Sequence, residues 1–375
     1  MTIEAPDFDA LAQPGIRGLR AYDPGLDLVA LRRRFAAGQL VELGSNENSH
    51  GPSPAARAAI LDSLHALHRY PDPTGGGLKR ALAARHGVDV AGIALGNGSH
   101  ELLMMLAQVF AGPGREVVAS RFGFAVYALA AQAAGAALVV APALPGDAGM
   151  PRGHDLGALR AAIGPDCALV YLANPNNPTG TWFPTAALED FLASIPAGVL
   201  VVVDEAYLEY STDPALTSAV ALLDRHPNLV VTRTFSKGYG LAGLRVGYLL
   251  AAPGLVAVLE RVRESFNVNG PGLAACEAAL ADDSHLDWIR RQNAVEREAL
   301  ADALAARGLA VPPSQTNFLL VDFGREAGPI EAALVARGVV PRPMAGYGLP
   351  SCLRLTVGLR DENRRLLQAL DEVLA

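Results

Sequence analysis

Seven short runs of Val, Leu, Ile and Ala recur between residues 93 and 251, and they constrain the fold more than any other feature. They lack the polar–apolar alternation of a strand with one solvent-exposed face, which indicates strands buried on both faces. Their spacing leaves room for crossover helices, so the sequence predicts an α/β fold with a mostly parallel, helix-covered sheet. The runs are IALGN, EVVAS, ALVVAPA, CALVYLANP, GVLVVVDEAY, NLVVTRTFS and RVGYLLAA, the last a candidate antiparallel strand.

The pattern changes on either side of these runs. A long helical region is predicted from GLVAVLERVRESF to about ARGL, and a second α/β segment follows it with NFLLVDF, EAALVARGVVPRP, SCLRLTVG and ENRRLLQALDEVLA. Ahead of the runs, GIRGLRAYDPG is rich in turn residues and LVALRRRFAAG predicts a short helix. We predict an N-terminal arm (1–45) that packs with the small domain, a large domain (46–260) and a small C-terminal domain (261–375).

Composition narrows the class of protein. Half of the 375 residues are hydrophobic and 18% are charged, which is typical of a globular chain. The net charge of −7 argues against nucleic acid or an anionic membrane as the main partner. Three widely spaced cysteines without metal-ligand spacing indicate reduced thiols. No signal-peptide pattern and no apolar run of ~20 residues is visible, so we expect a cytoplasmic protein.

Polar residues follow the apolar runs at the points where the strands are predicted to end. NPNNPTG follows CALVYLA, DEAY follows GVLVVV, RTFSKGYGLAGLR follows NLVVT, and GNGSHE follows GIAL. Ligands of open α/β sheets collect at the carboxyl ends of the strands. These four segments are therefore predicted to form one site.

Lysine is rare in this chain and occurs only at Lys79 and Lys237. Genome composition alone explains a general preference for arginine. Lys237 nevertheless lies in a Gly-rich loop at a strand end, where chemistry is predicted. Arginine stays protonated and cannot act as an amine nucleophile, whereas a lysine with a lowered pKa can form a Schiff base.

A cofactor aldehyde such as that of pyridoxal phosphate (PLP) needs a lysine, a carboxylate for its ring nitrogen and donors for its phenolic oxygen. Asp204 ends an apolar run, where a carboxylate needs a partner. Tyr207 follows on the same side, and Asn177 lies in a turn held by two prolines. Taken singly, these residues are equally consistent with a helix N-cap, a core tyrosine and a plain turn.

The cofactor phosphate needs a helix N-terminus and a cation. GNGSHELL places small residues before a predicted helix, which suits an anion, although a serine N-cap alone explains the pattern. Thr234 and Ser236 add hydroxyls beside Lys237. Arg245 lies eight residues beyond Lys237 across a glycine-bearing loop and can fold back towards the same anion. Together these residues supply every part that PLP requires.

The chain resembles the fold-type I PLP-dependent aminotransferases almost from end to end. NPNNPTG, DEAY and SKGYGLAGLRVG are highly specific in combination. The resemblance implies a large domain with a mostly parallel seven-stranded sheet and a smaller α/β domain. The other segments that carry it are RGLRAYDPG, SNENSHGPSP, RYPDPTGGGLK, LGNGSHELL, FAVY, NFLLVDF, RPMAGYGLP and LRLTVG.

The resemblance also implies roles for individual residues. Lys237 would form the internal aldimine and Asp204 would hold the pyridinium nitrogen. Asn177 and Tyr207 would bind the phenolic oxygen, and Phe124 would stack on the ring, although a core aromatic explains Phe124 equally well. The phosphate would be held by Ser99, His100 (through its backbone), Thr234, Ser236 and Arg245.

Further implied roles concern the substrate and a second subunit. Arg354 would bind a substrate carboxylate, such as that of glutamate or 2-oxoglutarate, and Arg342 with Tyr22 would bind a substrate phosphate. Either arginine, as bare sequence, is also consistent with the surface. Tyr70 would reach the cofactor phosphate of the other subunit, which implies a homodimer with shared sites.

Three departures from the family pattern bear on the substrate: Ser49-His50 where a proline is usual, His100 in GNGSHE, and Gly123 before Phe124. An aromatic amino-acid aminotransferase shares the cofactor residues, and a PLP-dependent amino-acid-phosphate decarboxylase shares the fold. A PLP-dependent transcription regulator is disfavoured, because residues 1–45 are too short and too weakly basic for a DNA-binding domain. Reversible amino transfer is the predicted reaction.

Overall fold

The computed structural model describes residues 6–19, 25–36 and 38–375. The segment ahead of the main sheet contains short helices and a two-residue strand. The carboxylate of Asp27 accepts a hydrogen bond from the backbone N–H of Ala30 at 3.0 Å and so caps the third helix, which the sequence predicted. These elements are α1 (Phe8–Leu11), α2 (Pro14–Arg17), α3 (Leu28–Arg34) and β1 (Val41–Glu42).

The seven predicted strands form one sheet in the order β2-β8-β7-β6-β5-β3-β4. All pairs are parallel except those of β8, which runs antiparallel to both of its neighbours. The predicted mostly parallel, seven-stranded α/β sheet is therefore confirmed. Its strands are β2 (Ile93–Gly96), β3 (Glu116–Ser120), β4 (Ala137–Ala141), β5 (Cys167–Ala173), β6 (Leu200–Asp204), β7 (Leu229–Thr234) and β8 (Gly247–Ala251).

Helices cover both faces of this sheet, as the unbroken apolar runs require. In β6, Val201 and Val203 belong to the hydrophobic cluster on one face, and Val202 belongs to the cluster on the other. Successive strand residues point to opposite faces, so only apolar residues suit both. The surrounding helices are α4 (Pro54–Ser63), α5 (Gly76–His86), α6 (Ser99–Phe110), α7 (Ala125–Ala133), α8 (Leu156–Ala161), α9 (Thr185–Ser194) and α10 (Pro253–Leu259).

The C-terminal part forms a second α/β unit around a three-stranded sheet of order β11-β12-β9. The long predicted helical region is divided, because Pro271 occupies a first-turn position and the Asn269 side chain caps the new helix by accepting from Gly272 N at 2.7 Å. The new helix, α11 (Gly270–Leu280), packs against α4 and α5 of the large unit. The elements that follow it are α12 (Asp283–Ala305), β9 (Phe318–Asp322), α13 (Gly328–Ala336), β10 (Val339–Val340), β11 (Arg342–Pro343), β12 (Cys352–Thr356) and α14 (Arg360–Leu374).

The N-terminal segment contacts both units. β1 pairs in parallel with β10, so Val41 lies beside Val339 of the small unit. α2 packs against α7 of the large unit, where Gly15 lies on the backbone of Gln132. The division at residues 45 and 260 remains a prediction. Short 3₁₀ segments connect the larger elements at Leu64–Ala66, Val90–Gly92, Leu208–Tyr210, Ala219–Leu222, Ala242–Leu244 and Ala345–Tyr347.

One edge of the large sheet collects the functional segments. The carboxyl ends of β5, β6 and β7 lie there, and antiparallel β8 begins there, with Gly247 opposite both Thr234 and Gly96. The predicted loops therefore meet at one place, where the small sheet also contributes β11 and β12. No helix within the described ranges is long and apolar enough to cross a bilayer.

Candidate active site

The Lys237 amine lies in a cleft between the large sheet and the segment after β1. Its Nζ donates to the backbone oxygens of Asn46 at 3.1 Å and Ser45 at 3.2 Å. Burial, together with the positive charge of the nearby Arg354 guanidinium, lowers the pKa of Lys237 to about 8. An amine with this pKa is neutral in a useful fraction of molecules near neutral pH, as a nucleophile must be.

Asp204 is the last residue of β6 and is only 4% exposed. Its Oδ2 accepts a hydrogen bond from the Tyr127 hydroxyl at 3.1 Å, whereas its Oδ1 has no hydrogen-bond partner among the described residues. Burial raises the pKa of Asp204 to about 6. A buried carboxylate oxygen without a donor is costly, so this atom fits the N–H of a heteroaromatic ring.

Asn177 and Arg354 meet across the two units of the chain. Arg354, in the middle of β12, donates from Nη1 to Asn177 Oδ1 at 2.6 Å and from Nη2 to the backbone oxygen of Gly44 at 2.8 Å. Because Oδ1 of Asn177 accepts from a guanidinium, its Nδ2 is directed elsewhere as a donor. The Asn177 side chain is buried in the same cleft and suits a phenolate oxygen.

Tyr207 is buried beside Lys237, whose Nζ lies 5.7 Å from the centre of the tyrosine ring. Burial raises the pKa of Tyr207 to about 12, so its hydroxyl keeps its proton and remains a donor. The ring packs edge-on against Phe318, with 5.1 Å between ring centres. Tyr207 is therefore a rigid, neutral hydrogen-bond donor in the cleft rather than only a core residue.

The beginning of α6 has the features of an anion site. Its N-cap is Gly98, at φ 82°, and no side chain caps the first turn. Gly247 lies directly on Ser99 N, and a Cβ on Gly98 would meet the Arg245 guanidinium, so both positions need glycine. The N–H groups at this helix end and the guanidinium therefore face the same small space.

The loop after β7 completes this site. The Thr234 hydroxyl accepts from the backbone N–H of Ser236 at 3.1 Å, and Arg245 Nη1 donates to Ser236 Oγ at 3.2 Å. Arg245 itself adopts a left-handed conformation at φ 55°. His100 is partly buried in the first turn of α6, and burial together with the Arg245 charge lowers its pKa. A lowered pKa keeps His100 uncharged near neutral pH, so the positive charge at this helix end comes from Arg245.

The remaining predicted residues lie at different distances from this centre. Phe124 immediately precedes α7 and packs perpendicular to Tyr127, the partner of Asp204, at 5.9 Å between ring centres. Arg342 lies directly opposite Arg354 on β11 and packs against Gly25 of the N-terminal segment. Tyr22 lies outside the described residues.

Tyr70 stands apart from the other predicted residues within a single chain. Its side chain is 82% exposed and stacks on Phe266 at 4.6 Å between ring centres. The structure therefore brings together all the predicted cofactor residues except Tyr70, whose predicted role concerns a second subunit.

Sequence reasoning missed two residues that hold the others. Tyr127 donates to Asp204, and Asn46 donates from Nδ2 to the Tyr207 hydroxyl at 3.0 Å. The FAVY segment carried a signal for Tyr127, because residues three apart on a helix share a face with Phe124 at its start. No comparable signal existed for Asn46, whose partner lies 161 positions away.

The fold and this cleft define an enzyme that handles amino groups, and the chain belongs to the family of class I and II aminotransferases, whose sequence profile matches residues 38–370. It is 50% identical to "Histidinol-phosphate aminotransferase 2" of Pseudomonas aeruginosa, over 98% of this chain and 99% of that protein. The identity to the protein of the same name from Pseudomonas fluorescens is 48%, over 98% and 99% of the two chains.

Among solved structures, histidinol-phosphate aminotransferase from Sinorhizobium meliloti, in complex with pyridoxal-5'-phosphate, is similar over 97% of both chains. The TM-score is 0.86 and the sequence identity 34%. The fold-type I architecture predicted from the sequence is thereby confirmed.

Proposed function

We propose that the protein is a PLP-dependent aminotransferase of histidine biosynthesis that interconverts L-histidinol phosphate and 2-oxoglutarate with imidazole-acetol phosphate and L-glutamate. The observation that carries the proposal is the shared cleft of the Lys237 amine, with a pKa of about 8, and Asp204, with one unused oxygen. The names of the close relatives support histidinol phosphate as the substrate that gives up its amino group. Three buried free cysteines suit the cytoplasm, which we propose as the location.

The residues of the cleft fit the cofactor part by part. Lys237 would bind the cofactor aldehyde, Asp204 Oδ1 would accept from the ring N–H, and Asn177 Nδ2 and the Tyr207 hydroxyl would donate to the phenolic oxygen. PLP, when bound, supplies an aldehyde for amine exchange and a ring that draws electrons from the substrate Cα. Phe124 would lie on the ring face. The phosphate would be held by Ser99, the His100 backbone, Thr234, Ser236 and Arg245.

Lys237 would move one proton in the reaction, and Asp204 would hold another in place. Once its amine is released from the cofactor, Lys237 Nζ would take the proton from the substrate Cα as a general base. The carboxylate of Asp204 would keep the proton on the ring nitrogen, because a charged acceptor stabilises the pyridinium N–H. Lys237 must be neutral to accept a proton, whereas the ring nitrogen beside Asp204 must stay protonated. The surroundings of the two residues favour these two states.

Arg342 and Arg354 would bind the two anionic ends of the substrates. They lie directly opposite each other on antiparallel strands, so their side chains project from the same face of the small sheet. Arg354 would take the carboxylate of glutamate or 2-oxoglutarate. Arg342, with Tyr22 of the N-terminal arm, would take the phosphate of histidinol phosphate, and the contact of Gly25 with Arg342 supports an approach of the arm to this position.

The active form would be a homodimer in which Tyr70 reaches the cofactor phosphate of the second copy. Tyr70 is exposed, and neighbouring side chains on α4 and the following turn are also apolar and exposed. Contiguous exposed apolar surface is typical of interaction sites. The side chains of this patch are Leu61, Leu64, Leu67, Tyr70 and Phe266.

The substrate assignment is tested by transamination with 2-oxoglutarate, comparing L-histidinol phosphate with phenylalanine and tyrosine. We expect Arg342→Ala to lower kcat/KM for histidinol phosphate by about 30-fold or more, since it removes one partner of a close charge pair. Activity with phenylalanine, which has no phosphate, should change little. Arg364→Ala is the control, because Arg364 is exposed and pairs only with Asp361 at 2.9 Å among the described contacts.

A strong preference for the aromatic amino acids, unaffected by Arg342→Ala, would overturn the substrate assignment and favour an aromatic amino-acid aminotransferase. Release of CO₂ from an amino-acid phosphate without amino transfer would identify a decarboxylase instead.

A further inference from the structure

Asn46 lies between Lys237 and Tyr207 and has no role in the proposed function so far. It is 1% exposed and adopts a left-handed conformation at φ 54°. Asparagine tolerates this region better than most residues with a side chain. Its backbone oxygen accepts from Lys237 Nζ and from Asn317 Nδ2, each at 3.1 Å. One buried residue therefore contacts the reactive amine through its backbone and Tyr207 through its side chain.

The hydroxyl of Thr356 fixes the orientation of the Asn46 amide. The backbone N–H of Asn46 donates to Thr356 Oγ1 at 3.0 Å, so this hydroxyl uses its own hydrogen elsewhere. It donates to Asn46 Oδ1 at 3.4 Å. With Oδ1 turned to Thr356, the Nδ2 group of Asn46 faces the Tyr207 hydroxyl at 3.0 Å.

This orientation decides what Tyr207 can do with its single hydrogen. A hydroxyl that accepts from an amide keeps its own hydrogen for another acceptor. The described residues provide no acceptor for that hydrogen. An Asn46 amide turned the other way would present its oxygen to Tyr207 and take the hydrogen itself.

We propose that Asn46 is a positioning residue that sets the direction of the Tyr207 hydroxyl, so that its hydrogen points to the phenolic oxygen of the cofactor. The inference rests on the proposed function, in which Tyr207 binds that oxygen. Asn46 acts through Tyr207 and does not itself touch the reacting atoms. Thr356 is a second positioning residue, because it holds the Asn46 amide in this orientation.

The test is the pH titration of the visible absorbance of the cofactor bound to Lys237. The phenolic oxygen of the cofactor would accept hydrogen bonds from the Tyr207 hydroxyl and from the protonated nitrogen that links Lys237 to the cofactor. Without the Tyr207 donor, the oxygen holds the nitrogen's proton more strongly, so the pH midpoint of the titration rises. Tyr207→Phe should raise the midpoint by about one pH unit, the equivalent of one hydrogen bond to a charged group. Asn46→Asp should raise it as well, because a carboxylate takes the Tyr207 hydrogen.

Comparing single and double variants separates two effects on the titration midpoint, that of the direction of the Tyr207 hydrogen and that of the added charge. We expect the shift caused by Asn46→Asp to fall to less than half in the Tyr207→Phe background. Asn48→Asp is the matched control: it adds the same charge two residues away, where Asn48 Nδ2 contacts Gly238 O at 3.0 Å rather than Tyr207. Its shift should be equal in the two backgrounds.

Asn46→Gly keeps the left-handed backbone and carries no charge, so it serves as the second variant if Asn46→Asp folds poorly. We expect a smaller rise of the midpoint, which vanishes in the Tyr207→Phe background. If Tyr207→Phe raises the midpoint but the Asn46 variants shift it equally in both backgrounds, or not at all, the inference about Asn46 is wrong. If Tyr207→Phe itself leaves the midpoint unchanged, the proposed role of Tyr207 fails and the inference fails with it.

Discussion

Asp204 and Glu205 are adjacent, both are buried, and burial raises the pKa of both, yet their surroundings differ. The carboxylate of Glu205 accepts from Ser218 Oγ at 2.7 Å and from Ala219 N at 2.5 Å, and it lies 3.6 Å from Arg233. Asp204 has a hydrogen bond from Tyr127 and an oxygen without a partner.

The difference shows that two adjacent residues at a strand end can serve separate purposes, one in the fold and one in the site. The two side chains diverge where β6 ends, Asp204 towards the cleft and Glu205 towards the buried cluster of Arg233 and Glu209, whose carboxylate lies 2.7 Å from Arg233. A carboxylate with a full set of partners stabilises the fold. One that keeps an unsatisfied oxygen in a cleft is available to a ligand.

The largest effect that separates the two residues is on catalysis. Asp204→Asn should lower kcat/KM by at least about 10²-fold, because it removes the charge that would stabilise the ring N–H. Glu205→Gln should leave kcat/KM of the folded protein within about tenfold, since Glu205 faces away from the cleft. Steady-state kinetics of the PLP-loaded variants check both. Equal losses in the two variants would contradict the distinction.

Stability should respond in the opposite order. Glu205→Gln removes a carboxylate that accepts hydrogen bonds from Ser218 and Ala219, and it should lower the free energy of unfolding of the cofactor-free protein by about 1–2 kcal/mol. Asp204→Asn should not lower it, because a poorly satisfied charge is replaced by a neutral group. Urea denaturation without PLP measures both. A large destabilisation by Asp204→Asn would show that Asp204 is part of the structural framework.

The raised pKa of Asp204 should also make the stability of the protein depend on pH. The folded-state pKa of Asp204, about 6, lies above its ordinary value of 3.8, so the folded protein binds this proton more tightly than the unfolded chain does. The resulting stabilisation is full below about pH 4 and is lost as the pH rises through about 6. From about pH 4 to about pH 7, cofactor-free wild type should lose about 2 kcal/mol of unfolding free energy relative to Asp204→Asn. Parallel pH curves for the two proteins would contradict a raised pKa.

The smallest expected effect concerns the partner of Asp204. Tyr127→Phe removes the hydrogen bond that lowers the pKa of Asp204, so that pKa should rise further, and kcat/KM should fall by about tenfold. The acid limb of the pH–rate profile should move to higher pH. Tyr171→Phe is the control, because Tyr171 stacks on Tyr127 but donates to the backbone oxygen of Leu103 at 2.6 Å. Equal movement of the limb in both variants would assign the effect to packing.

The sequence predicted the large sheet and the strand-end residues well, because both depend on local patterns. Apolar runs such as VVVDE identify a strand buried on both faces together with the point where it ends. Lys237, Asp204, Asn177 and Arg245 all follow such runs, so chain topology alone brings them to one edge of the sheet.

What the sequence could not predict depends on contacts between distant segments. Asn46 follows a strand of two residues, and its role appears only when Tyr207 and Thr356 are placed beside it. The contact of Arg354 with Asn177 joins two units of the chain, and no local pattern announces it. The division of the long helical region was missed because apolar spacing continues on both sides of NVNGPG.

The proposal that Lys237 binds the cofactor is tested most directly by trapping the bound form. The chain has only two lysines, and the amine of Lys79 pairs with Glu260 at 2.8 Å. The PLP-loaded protein would be reduced with borohydride, digested and analysed by mass spectrometry, with Lys79→Arg as the matched control. We predict the pyridoxyl group on Lys237 alone, retained in Lys79→Arg and absent from Lys237→Ala. A pyridoxyl group on Lys79, or full visible absorbance and normal amino transfer in Lys237→Ala, would contradict the account.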